Sequence, residues 1–159
     1  MLCANLAACS YQADAVVSSG NPITAKVIYQ NQHCGQSESR ALWITNRQQF
    51  QEVYAGLRRS YIGGQSAPPA VDFSTDGVLL LAMGQKNTGG YGLRLADDTP
   101  SVVNGLLELK VQWLAPRRGM LVTQALTSPC LLLRISQGDF SRIRISDQSG
   151  QTRFDFNVD

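Results

Sequence analysis

The chain has 159 residues, 43% of them hydrophobic and only 16% charged, with 14 Lys and Arg against 12 Asp and Glu for a net charge of +2. That length supports one domain with a real core, and the balance excludes the clustered basic footprint of a nucleic-acid binder. No run approaches the roughly 20 apolar residues of a membrane helix, so the expected membrane contact is through a lipid anchor alone. Leu6-Ala7-Ala8-Cys9 reads as a bacterial lipobox: a branched apolar residue, two small residues, then the cysteine whose thiol takes the lipid. Few residues precede Cys9 and none is Lys or Arg, so residues 1–9 read as a truncated lipoprotein signal. Residues 10–22 are polar and small and read as a tether; 23–159 read as a single β-rich domain. The expected location is the periplasmic side of a bacterial cell envelope.

Thr24 to Gln30 alternates as a strand, with Ala25, Val27 and Tyr29 on one side. Ala41 to Thr45 is a second strand, ended by Asn46. Asn46 is a good helix N-cap, with Gln49 three residues on as in a capping box. Phe50, Val53, Tyr54 and Leu57 then form one apolar stripe, which predicts a helix over Arg47 to Arg59 packed on a sheet. Arg58 and Arg59 fall in the last turn, where cations complement the helix dipole. Ser60 to Val71, with its Gly and Pro pairs, reads as a loop.

From Asp76 onward strand signals recur at the spacing of a sandwich or barrel. Val78 to Met83 is a continuous apolar run, suited to a central strand buried on both faces. Tyr91, Leu93 and Leu95 alternate, and Leu107, Leu109, Val111 and Trp113 share a face of a strand over Leu106 to Trp113. Pro116-Arg117-Arg118-Gly119 is a turn. Leu121 to Thr127 and Leu131 to Ile135 read as two further strands separated by Ser128-Pro129. Phe140 to Ser146, a turn over Asp147 to Gly150, and Thr152 to Val158 form a closing hairpin. The fold class is therefore mainly β (α+β): an antiparallel β-sandwich or barrel-like sheet with one packed helix.

Catalysis finds little footing. The single histidine, His33, would have to serve any nucleophilic triad. It neighbours Cys34 on a polar turn, and adjacent turn residues seldom aim at one substrate atom. Asp97 and Asp98 are also adjacent, so on a strand they would face opposite ways. Gly84 to Gly90 lacks the Gly-Lys-Ser/Thr ending of a phosphate loop. Too few Cys and His residues remain beyond the signal for a zinc centre. We expect no enzyme, no metal, no cofactor and no small-molecule substrate. Of four cysteines, Cys3 and Cys9 fall in the signal, which leaves Cys34 and Cys130 as a candidate disulfide or as two buried thiols.

The most distinctive segment is Gly84-Gln85-Lys86-Asn87-Thr88-Gly89-Gly90-Tyr91. Its glycines allow a sharp turn into the next strand, and its loop can present backbone groups to a partner. Together with Val78 to Gly84, Leu107 to Val111, Pro116, Gly119, Val122, Gln124, Ala125, Thr127-Ser128-Pro129 and the apolar strand to Ile135, it resembles the PrcB C-terminal domain family over residues 77–135. That family takes its name from the accessory lipoprotein of a bacterial surface protease complex. The family pattern often has Pro where this chain has Asn87. The resemblance implies an exported, non-catalytic accessory or scaffold lipoprotein whose partner is a protein, an exported protease in the first instance. The candidate partner-binding residues are Lys86, Asn87, Thr88, Gly89, Gly90 and Tyr91, with Pro116, Arg117, Arg118 and Gly119. Asn87 to Tyr91 is also similar to the Asn-Pro-Thr-Thr-Gly-Tyr loop of chagasin-type protease inhibitors, though without its Pro, and Trp113 and Arg117 are misplaced for the Arg-Pro-Trp loop of those proteins. That likeness implies the alternative of an inhibitor inserting this loop into a protease cleft. An envelope structural protein without a protease link is the third alternative.

Overall fold

The computed structural model describes residues 22–59 and 67–158. The lipobox with Cys9, the tether over 10–21 and the loop centre at 60–66 lie outside them. Nine strands and one helix follow in order: β1 (Ala25–Asn31), β2 (Ser39–Ile44), α1 (Arg47–Arg58), β3 (Asp76–Met83), β4 (Gly92–Leu95), β5 (Ser101–Val103), β6 (Leu106–Leu114), β7 (Cys130–Ser136), β8 (Arg142–Ser146) and β9 (Thr152–Asn157).

The strands form two sheets that do not close into a barrel. The first has the order β1-β7-β3-β2 and is antiparallel throughout. The second has the order β4-β6-β8-β9, with β5 also on β6. Its central pair, β6 and β8, runs parallel, which departs from the expected all-antiparallel arrangement. The hairpin turn at Asn104 and Gly105, both at positive φ, folds β5 back onto β6, a strand the sequence pattern did not single out.

Three layers result. Leu79, Leu81 and Met83 of β3 join Leu131, Leu133 and Ile135 of β7 against Leu107, Leu109, Val111, Ile143 and Ile145 of the second sheet. Val78, Leu80 and Ala82 face the opposite way and pack with Leu132 on Phe50, Tyr54 and Leu57 of α1. The apolar run over Val78 to Met83 is thus explained by burial on both faces. Each fully buried leucine contributes about 1.5–3 kcal/mol relative to exposure. The helix starts where its cap dictates: the Asn46 side chain accepts from the Gln49 amide at 2.8 Å.

Two local readings need correction. Ala25, Val27 and Tyr29 do not share a face, because a bulge lies between Val27 and Tyr29. Ala25 packs between the sheets, Tyr29 packs on the helix side, and Val27 is exposed. Leu121 to Thr127 is not a strand. It belongs to the connection that leaves β6 in one sheet and enters β7 in the other. Its pairing is confined to isolated bridges at its end, Thr127 with Lys86 and Ser128 with His33.

Candidate partner-binding surface

Three connections meet at one end of the sandwich: the turn after β1, the segment between β3 and β4, and the connection between β6 and β7. The amide of Lys86 donates to the Thr127 carbonyl at 2.8 Å, and the Thr127 amide returns a bond to the Lys86 carbonyl at 2.9 Å. The Thr127 hydroxyl donates to the Thr88 carbonyl at 2.9 Å. The Gly89 amide donates to the Thr123 carbonyl at 2.9 Å. The glycines permit this closeness. A Cβ on Gly89 would lie 2.4 Å from the Thr123 hydroxyl oxygen. Gly90 has a φ of +87°, and a Cβ there would crowd Pro116 and Val122 at 3.1 Å each.

Ser128 fastens the third connection. Its amide donates to the Gln32 carbonyl at 2.8 Å, its carbonyl accepts from Cys34 at 3.0 Å, and its hydroxyl accepts from the Gly35 amide at 2.7 Å. Cys34 and Cys130 are joined by a disulfide with a Cα–Cα distance of 5.9 Å, buried on the helix side of the first sheet. A sulfur held in that bond is no nucleophile, and His33 beside it is exposed. Among the described residues no group of three or more His, Cys, Asp or Glu could hold a metal ion.

The sequence-predicted residues thus divide. Gly89 is buried, Lys86, Thr88, Tyr91 and Pro116 are half-buried, and Asn87, Gly90, Arg117, Arg118 and Gly119 are exposed. The Lys86 ammonium lies 5.6 Å from the centre of the Tyr91 ring, a cation–π contact that occupies both side chains. Pro116 and Gly90 are in contact range, so the two predicted loops share one surface. At the tip, the Met120 amide donates to the Arg117 carbonyl at 3.0 Å, and Gly119 turns at a φ of +81° into open space.

Sequence reasoning missed the apolar residues beyond that tip. Met120 is 59% exposed, Leu121 99% and Leu126 62%, although the backbone beside them is tied at Thr123 to Gly89 and at Thr127 to Lys86. The sequence pattern over Leu121 to Thr127 suits a strand, which does not distinguish an exposed apolar loop from a paired one. The available signal was Gly119, which breaks the strand pattern in front of them.

The root of this connection is braced by the β8–β9 turn. The Gln148 side chain accepts from the Trp113 amide at 2.8 Å and donates to its carbonyl at 3.2 Å, while the Arg153 guanidinium lies 5.5 Å from the centre of the Trp113 ring. Asp147 organises that turn. The Ser149 hydroxyl, the Ser149 and Gln151 amides and the Arg153 guanidinium all donate to its carboxylate. The Ser149 hydroxyl foremost, with those other donors, holds the Asp147 pKa down to about 2.

Fold and surface together define a two-sheet β-sandwich with a covering helix and a tied, apolar-tipped loop end. Residues 78–136 match the PrcB C-terminal family. The match covers just over a third of the chain, from β3 through β7, and takes in both predicted loops and the exposed tip. Comparison with curated proteins returned no match, and neither did comparison with solved structures.

Proposed function

We propose that this chain is an exported, non-catalytic accessory or scaffold lipoprotein, anchored through Cys9, that binds and stabilises a protein partner of the bacterial envelope. The family match favours an exported protease as that partner. The observation that carries the reading is the segment from 114 to 127: apolar side chains turned outward on a backbone held by the Thr88 to Gly90 turn. An exposed loop ordered before binding loses little conformational entropy when it docks. The Cys34–Cys130 disulfide agrees with an oxidising compartment.

Insertion of Asn87 to Tyr91 into a protease cleft has less support. Lys86, Thr88 and Gly89 spend backbone groups on Thr127 and Thr123, which leaves few for an enzyme to pair with. Affinity purification of the full chain from solubilised envelopes, with a protease panel run alongside, separates the readings. The accessory role predicts a retained exported protein and no inhibition. Inhibition lost on Asn87→Asp would install the inhibitor instead. Membrane retention without any partner would leave an envelope structural protein.

A further inference from the structure

The loop end also carries a charge pattern. Between Leu114 and Thr127 there are two arginines, Arg117 and Arg118, and no Asp or Glu. The facing turn from Gly84 to Tyr91 adds Lys86 and again no carboxylate, and the turn after β1 contributes one carboxylate, Glu38, on the side of Gly84. Among the described residues no ion pair involves Arg117 or Arg118, and both are exposed beside Met120 and Leu121. We infer that the tip docks into an apolar recess of the partner protein rimmed by carboxylates, with Leu121 filling the recess and Arg117 and Arg118 pairing with the rim. This inference rests on the reading that the loop end binds a protein.

The chemistry selects a protein over a bilayer. Arginine presents a planar fork suited to carboxylates, and Arg and Met are enriched in protein interfaces. Bilayer-surface segments instead use Trp or Tyr anchors and clusters of about four to eight basic residues. The segment from 114 to 127 contains no aromatic residue and only the two arginines.

The test places the photocrosslinker p-benzoylphenylalanine at position 121 of the full chain in its native cell, and separately at position 87. Leu121 touches no core, so its replacement leaves folding intact. We expect the 121 probe to crosslink one exported protein at an apolar recess flanked by Asp or Glu. Arg117→Glu should then weaken binding at least about tenfold, and reversing the mapped carboxylate to Lys should restore it. A crosslink to phospholipid, or to a recess without carboxylates, would overturn the inference. So would a protein crosslink from position 87 with none from 121, which would leave the wider partner-binding reading standing. Silence at both positions would remove both.

Discussion

The Thr127 hydroxyl donates to the Thr88 carbonyl across 2.9 Å, joining two short elements that lie 39 residues apart in the chain. Thr127 is 6% exposed and Thr88 half-buried, so the bond is partly shielded from water. Thr127→Val would keep the shape and remove the donor. The expected loss is about 0.5–1.5 kcal/mol, the net worth of a typical intramolecular hydrogen bond, read from urea denaturation.

Gly90 provides a second check on the same junction. Its φ of +87° is strained for any other residue but Asn or Asp, and a methyl there would press on Pro116 and Val122. Gly90→Ala should cost about 1–3 kcal/mol. Pairing it with Val122→Ala should recover part of the loss, because the backbone strain remains while the contact is relieved. A fully neutral Gly90→Ala melt would contradict the junction described here.

The disulfide closes a loop with a sequence separation of 96 residues. Closing so long a loop restricts the unfolded chain, and its removal is expected to cost about 2–5 kcal/mol. The double variant Cys34→Ser, Cys130→Ser should therefore unfold at lower urea. Reductant should shift the wild type to the same midpoint and leave the double variant unmoved.

Asp147 sets a pH dependence. Its folded pKa of about 2 lies below the ordinary value of 3.8, because the Ser149 hydroxyl, with the neighbouring amides and Arg153, favours the charged form. A depressed carboxylate pKa contributes stability that is complete above the unfolded value and lost as pH falls through the folded one. Melting temperature should accordingly drop as pH goes from about 4 to about 2 by this linkage. Asp147→Asn should flatten that part of the profile. The same variant should loosen the brace on Trp113, seen as a change in tryptophan fluorescence.

Much of this architecture was legible in the sequence, and the physical reasons are particular. Asn46 and the Phe50, Tyr54, Leu57 stripe announce the helix because capping and 3.6-residue periodicity are local properties. Val78 to Met83 announces a doubly buried strand because neither face needs polar residues. The parallel pairing of β6 with β8 was not legible, since side-chain alternation carries no strand direction. The bulge in β1 was hidden for a similar reason: alternation predicts a face only while the register holds. Leu121 to Thr127 misled because apolar residues meant for an exposed loop look like those meant for a core. The Asn104-Gly105 pair, a strong hairpin signal, marks the turn between β5 and β6. At the candidate surface, the Thr88 to Tyr91 turn stood out in the sequence, whereas its bonds to Thr123 and Thr127 depend on the tertiary fold.

The central claim is that the exposed tip, held by that turn, binds an exported protein. Quantitative mass spectrometry of envelope proteins retained by the full chain and by its Leu121→Asp variant tests it most directly. Leu121 is 99% exposed, so the variant should keep wild-type stability to within about 0.5 kcal/mol. The account predicts that one exported protein held by the wild type falls at least about tenfold with the variant, the scale of a lost interface anchor. Retention of the same proteins in the same amounts by both forms would contradict it.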